Sequence, residues 1–171
     1  MLRYYFAYGS NLHPLRLTER IHSARLISSA ELAGYRLTFD KHGQDGSSKC
    51  NLQQSGRPSD RVHGAIYQIA SEHKPQLDEF EGLGAGYIDQ EIELSVDGRR
   101  YRCFSYFAQA GYITDLLKPY EWYRQLVLEG ARYLQFPSAY VAQIAAVASV
   151  SDPDIEREQC HRQLIERMSS P

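Results

Sequence analysis

The sequence predicts an α+β fold built on a mixed, barrel-like sheet. Three observations carry this expectation. Short β-prone segments fill the first half of the chain, apolar spacing of helical period dominates the last third, and an Asp-Gly dipeptide between two β-prone runs marks a late hairpin. Strands first and helices after is the order of an α+β protein, not of a repeating βαβ unit. No repeat, low-complexity tract or linker divides the 171 residues, so one domain is expected over 1–171.

Tyr4 to Tyr8 is a short aromatic run that ends at Gly9, and a helical turn is expected to begin near Leu12. Ala24 to Leu32 and Tyr35 to Phe39 are β-prone segments parted by Gly34. Lys41 to Ser48, rich in Gly, Asp and Ser, reads as a loop or hairpin tip before the short segment Cys50 to Gln53. Val62 to Ile69 has the imperfect alternation of a buried strand containing a glycine. Ser71 to Glu81 then changes period. Ser71 is placed to cap, Pro75 is tolerable only in a first turn, and Gly82 and Gly84 stop the element, which gives a helix of about two turns.

Ile88 to Val96 and Arg100 to Phe107 flank Asp97-Gly98, the pair favoured in a type I′ turn. Tyr123, Leu126, Val127, Gly130, Ala131 and Leu134 recur at helical spacing between Pro119 and Pro137. Ser138 to Ala148 reads as a further helix, and Ser151-Asp152-Pro153 as the cap of a polar last helix running toward Met168.

Composition excludes several classes of function. Nineteen Lys plus Arg against 21 Asp plus Glu give a formal charge of −2, which builds no broad positive field for a nucleic acid backbone. Cys50, Cys103 and Cys160 are odd in number and form no C-x-x-C pair. That pattern suits a reducing cytoplasm better than a disulfide framework or zinc ribbon. The opening apolar run is too short for a signal sequence, and no span approaches the roughly 20 apolar residues of a membrane helix. A soluble, cytoplasmic protein is the expectation. The histidines at 13, 22, 42, 63, 73 and 161 show no metal-ligating spacing. Cys160-His161, in the polar terminal helix, is expected to be two surface residues. Arg99, Arg100 and Arg102 read as a solvated hairpin face.

Two segments remain that can carry chemistry. In Tyr5-Phe6-Ala7-Tyr8-Gly9-Ser10-Asn11-Leu12, a strand ends in Gly-Ser-Asn and offers backbone N–H groups to a carboxylate or oxyanion. A plain strand-to-helix turn capped by Ser10 or Asn11 explains the same residues. The G-x-S-x-G elbow is absent, so Ser10 lacks the setting of a nucleophile. In Leu77-Asp78-Glu79-Phe80-Glu81-Gly82, a helical wheel puts Leu77, Phe80 and Glu81 within about 100° and Glu79 nearly opposite. Glu81 then faces the apolar side, where a carboxylate must be paired, protonated or used, unless it frays outward beside Gly82.

Together the two segments resemble the γ-glutamylcyclotransferase family, the AIG2-like group. YFAYGSNL at Tyr5 to Leu12 is followed some 70 residues later by LDEFEG at Leu77 to Gly82 and then by Tyr87. A-E-L-x-G-Y-R-L-x-F from Ala30, D-G-S-x-K-C-N from Asp45, V-x-G-x-x-Y from Val62 and S-x-Y-V-x-x-I from Ser138 extend the likeness over most of the chain. The resemblance implies a small mixed β-barrel flanked by helices, with the Tyr5-to-Asn11 loop lining the substrate pocket and Glu81 as general acid and base. Tyr87 matches a tyrosine that follows the acidic helix in such proteins, and Tyr106 matches less closely one on the second hairpin arm. Phe80 and the Lys41-to-Lys49 loop occupy places that vary in the family.

The implied reaction is closure of a γ-glutamyl amide by its own α-amine, releasing 5-oxoproline and a free amine, without metal or organic cofactor. The identity of the leaving amine stays open, and a homodimer is compatible with the resemblance. A non-catalytic γ-glutamyl-binding module and an amidase that releases glutamate are the competing expectations.

Overall fold

The computed structural model describes residues 1–170 and confirms the α+β architecture. In chain order the elements are β1 (Leu2–Ala7), α1 (Pro14–Arg20), β2 (Arg25–Ala33), β3 (Tyr35–His42), β4 (Ser48–Gln54), β5 (Arg61–Ala70), α2 (Lys74–Glu81), β6 (Tyr87–Val96), β7 (Arg99–Ala108), α3 (Glu121–Tyr133), α4 (Ser138–Ala145) and α5 (Ile155–Met168). Five strands form one sheet in the order β2-β5-β1-β7-β6, and β3 with β4 form a separate hairpin. The sheet is mixed because β1 runs antiparallel to β5 but parallel to β7, with Tyr4 opposite Cys103 and Tyr5 opposite Phe104. It curls until its edge strands β2 and β6 approach each other, a half-barrel in keeping with the barrel-like sheet expected from the sequence.

β1 lies at the centre, which explains its composition. Tyr5, Phe6 and Ala7 are all buried, as they must be in a strand covered on both faces. The late hairpin has the expected turn: Val96 pairs with Arg99, and Asp97 and Gly98 take φ of 49° and 76°.

Several boundaries move. Expected at most as a turn near Leu12, α1 is a two-turn helix opened by Pro14 and capped by His13, whose Nδ1 accepts from the Leu15 N–H at 3.1 Å. Ser10 and Asn11 therefore do not cap it. Ser71 does not cap α2 either; Ser71–His73 is a 3₁₀ turn, and Lys74 begins the α-helix with no side-chain cap. The Lys41-to-Ser48 loop shrinks to residues 43–47, because β3 continues through His42 and β4 starts at Ser48. The cap of α5 is Asp154, which accepts from the Arg157 N–H; Asp152 is instead buried against Trp122 and Arg157. No helix among the described residues is long and apolar enough to cross a membrane.

α3 buries Trp122, Tyr123, Leu126, Val127, Leu128, Gly130 and Ala131, and packs against α4 and α5. Gly130 lets it cross the segment leading into α1: a Cβ there would meet the Leu12 Cβ at 2.4 Å and the His13 N at 3.0 Å. Both neighbours belong to the stretch that follows Asn11. Gly130→Ala is expected to cost about 1–3 kcal/mol through this overlap, read as a lower denaturant midpoint with an unchanged slope.

Candidate active site

Glu81 is the last residue of α2. Gly82 follows in the left-handed conformation at φ 70° and returns its N–H to Asp78 and Glu79 carbonyls, so the helix stops and the Glu81 side chain turns toward the end of β1. There Asn11 Nδ2 donates to Glu81 Oε1 at 2.5 Å. Arg20 Nη1 donates to Asn11 Oδ1 at 3.2 Å and lies 3.7 Å from Glu81 Oε1. Asn11 thus bridges an acid and a base instead of capping a helix, and the carboxylate is paired, the condition that burial on the apolar side imposes. The Glu81 side chain keeps 18% exposure. Burial raises its pKa above the ordinary value, while Arg20, Arg16, the Asn11 N–H and Lys41 pull against that rise.

α2 is fastened one turn earlier. Tyr106 on β7 donates to Asp78 Oδ1 at 2.6 Å, and Lys74 contacts Asp78 at 2.7 Å and Asp89 on β6 at 2.9 Å. Tyr106 is accordingly absent from the cavity wall and stands behind Tyr5, with ring centroids 5.7 Å apart. Its connections are those of a residue that positions the acidic helix against the sheet.

Glu81 sits between a small recess and a wider cleft. The recess is about 20 Å³, room for roughly a water molecule. Tyr5, Tyr8, Gly9, Ser10, Asn11, Cys50, Glu81, Tyr87 and Tyr123 line it, so most of the expected site residues do meet. Phe6 and Ala7 do not. Both are fully buried and line neither space: Phe6 points to the face opposite Tyr5, and Ala7, on the same face as Tyr5, carries only a methyl group.

Among the tyrosines, Tyr8 donates to the Tyr106 carbonyl, Tyr87 donates to the Cys50 carbonyl, and Tyr123 accepts from the Cys50 N–H. The Tyr5 hydroxyl accepts from Asn11 at 3.5 Å and keeps its own proton to donate. The backbone N–H groups of Gly9, Ser10 and Asn11 reach no carbonyl acceptor among the described residues. Burial pushes the Cys50 thiol up to about 12, which leaves it protonated and a poor nucleophile.

The outer cleft is about 340 Å³. Ser10, Glu81, Tyr87 and Tyr123 are shared with the recess, and Lys41, Asp45 and Lys49 of the β3–β4 hairpin close one side, which gives the Lys41-to-Lys49 segment a place at the cleft. Phe80 departs from the helical wheel: it is 49% exposed and stands at the cleft, with Arg20 5.1 Å above its ring. Cys160 is exposed as expected, but His161 is not a surface residue. It lines the cleft, stacks on Trp122 at 3.8 Å, and has its pKa lowered to about 4 by burial and by Arg16 and Arg20.

Arg16, Arg20 and Arg157 are cleft residues that the sequence analysis did not name, and His161 is one it expected at the surface. Two signals pointed to them: His13-Pro14 as a helix opening, and the spacing Arg157, His161, Leu164, Met168, which sets the first two on the buried face of α5.

A larger cleft of about 520 Å³, lined by Arg36, Asp60, Arg61, His63 and Tyr140 among others, lies apart from Glu81. Its arginines are already paired, Arg36 with Asp60 at 2.6 Å and Arg61 with Glu31 at 3.3 Å, so it offers no comparable site.

The curled mixed sheet and the acid beside a glycine loop define a class of barrel proteins that the comparisons identify. The chain belongs to the "Gamma-glutamyl cyclotransferase, AIG2-like" family, whose model matches residues 5–125. It is 32% identical over 154 residues to a mouse protein named gamma-glutamylcyclotransferase, covering 84% of this chain and 77% of the mouse one. The human protein of the same name is 30% identical over 158 residues, with the same shares covered. A solved structure named gamma-glutamyl cyclotransferase superposes with a TM-score of 0.79 at 24% identity over 95% of this chain and 99% of its own. A crystal structure of an uncharacterized human protein does so at 0.79 and 26%, over 94% and 98%. Arg157 and His161 lie beyond the segment that the family model matches.

Because the Asn11 N–H lowers the Glu81 pKa, Asn11→Leu is expected to raise it further, read as a more alkaline midpoint for the Glu81 carboxyl carbon in an NMR titration.

Proposed function

We propose that this chain is a γ-glutamylcyclotransferase: it closes a γ-glutamyl amide to 5-oxoproline and releases the amine. The observation that carries this reading is the partly desolvated Glu81 carboxylate, held by Asn11 and Arg20 beside a loop whose Gly9, Ser10 and Asn11 N–H groups find no internal carbonyl acceptor. The names of the mouse and human relatives agree with it.

The substrate contains its own nucleophile, so the protein must fold it and move a proton. Intramolecular attack held in a reactive geometry carries effective molarities of about 10⁵–10⁸ M. An unperturbed Glu and an α-ammonium differ by about 3.5 pH units, roughly 5 kcal/mol against proton transfer. Burial that raises the Glu81 pKa and disfavours the ammonium narrows this gap from both sides. Glu81 takes one proton from the α-ammonium, the freed amine attacks the γ-carbonyl, and Glu81 passes that proton to the departing nitrogen as the amide C–N bond breaks. The second proton, shed by the ring nitrogen, follows the same route, so 5-oxoproline leaves with one N–H and the amine leaves as its ammonium.

The loop N–H groups and the Tyr5 hydroxyl are the donors available to the tetrahedral oxyanion or the α-carboxylate. This route needs no protein nucleophile. The protonated Cys50 and a Ser10 hydroxyl with no hydrogen-bonded base among the described residues agree with that.

Glu81→Gln keeps the shape of the side chain and removes its basicity. It is expected to lower kcat by about 10²–10⁴ with little change in KM, measured as 5-oxoproline release from γ-glutamyl dipeptides and amines. Free glutamate in place of the lactam would mark an amidase, and ligand-induced thermal stabilisation without product would mark a binding module. In the wild-type protein, kcat/KM is expected to fall on the acid side as Glu81 is protonated, with the midpoint above the usual carboxylate range because burial raises that pKa.

A further inference from the structure

The cleft holds five cationic side chains, Arg16, Arg20, Lys41, Lys49 and Arg157. Three have carboxylate partners: Arg20 has Glu81, Lys49 has Asp45 at 2.7 Å, and Arg157 has Asp152. Lys41, 4% exposed, has none among the described residues but donates to the Ala85 carbonyl at 3.3 Å and lies 4.5 Å over the Tyr87 ring. Arg16 has less. It is 7% exposed, and among the described residues its Nε has no hydrogen-bond partner and Nη1 approaches only His161 Nδ1, at 3.5 Å.

No carboxylate reaches Arg16 within salt-bridge distance among the described residues; its helix neighbour Glu19 is engaged by Arg167. The imidazole opposite cannot compensate the charge, because burial and the two arginines keep it neutral. Burial and Arg20 pull the Arg16 pKa down to about 9, which still leaves a full charge at neutral pH. An enclosed guanidinium without an anion is costly, and such a group is retained where a ligand supplies the missing charge. Its planar fork of donors matches a carboxylate, and it opens on the same cleft as Glu81.

We propose that Arg16 is a substrate-binding residue that takes up a carboxylate of the γ-glutamyl compound, with His161, stacked on Trp122, orienting its guanidinium. This rests on the reading of the cleft as a γ-glutamyl site. The carboxylate has two sources, the α-carboxylate of the glutamyl group and an acid carried by the leaving amine.

The test compares the wild-type chain with Arg16→Gln and Arg16→Lys, using a γ-glutamyl amino acid and a γ-glutamyl alkylamine. A fall in kcat/KM of about ten- to a hundredfold on both substrates, mostly in KM, assigns Arg16 to the α-carboxylate. The same fall on the amino acid substrate alone assigns it to the leaving group. Arg16→Lys should recover part of the loss in either case. Unchanged kinetics on both substrates overturn the proposal.

Melting without ligand separates binding from a structural role. Removing an unpaired buried charge should leave the Tm of Arg16→Gln equal to or above that of the wild type, whereas a large drop shared by both variants argues for structure and against the proposal. Stabilisation by 5-oxoproline and by a free amino acid gives a readout that needs no turnover. If the wild type makes no 5-oxoproline, the catalytic reading fails. Arg16 still stands if either ligand stabilises the wild type but not Arg16→Gln, and falls if both proteins respond alike.

Discussion

The Glu81 carboxylate held between Asn11 and Arg20 is the contact on which the geometry of the site depends. It joins the end of β1, the short helix α1 and the end of α2, three pieces separated by up to 70 residues in the chain. A carboxylate at that depth is tolerable only because an amide N–H and a guanidinium meet it. The same enclosure raises its proton affinity. Stability and chemistry thus make opposite demands on one group: pairing lowers the cost of burying the charge, and burial keeps the charge from being fully stabilised.

The surrounding fold serves to hold that compromise in place. Tyr106 and Lys74 bind Asp78, so α2 is tied to β6 and β7 one turn before the end that carries Glu81, and Gly82 ends the helix where the side chain can turn inward. On the other side, the close approach of Gly130 seats α3 against Leu12 and His13 and steadies the loop that carries Asn11. The C-terminal helix α5 closes the cleft through Arg157 and His161, braced by the Asp152 interactions with Arg157 and Trp122. These contacts involve elements from both ends of the chain, so the cleft is a product of the whole fold.

Local chemistry made much of this legible. The Asp97-Gly98 turn, the stop at Gly82 and the buried stripe of α3 all follow from constraints acting within a few residues, and all are present. Helical period set Glu81 on the inward side but left an outward fray beside Gly82 open, and the contacts with Asn11 and Arg20 are what hold it inward. The same wheel misplaced Phe80, because a helix end beside a cleft has no core on that face to bury an aromatic ring. His161 was misread for the converse reason. A helix of low average hydrophobicity still has one face in contact with the protein, and that face here meets Trp122 and the cleft.

The sequence by itself determined the class of fold and the family resemblance and pointed to Glu81 as the acid of the candidate site, since these depend on periodicity, turn chemistry and two contiguous motifs. Only the tertiary structure decided which partners that acid has, that Tyr106 anchors a helix and lines neither the recess nor the cleft, and that Arg16 is enclosed with no counter-ion among the described residues. The physical reason is distance along the chain. Hydrogen bonds, ion pairs and burial are properties of groups brought together through space, and nothing local in Arg16 or Asn11 records which residues will surround them once the sheet has curled.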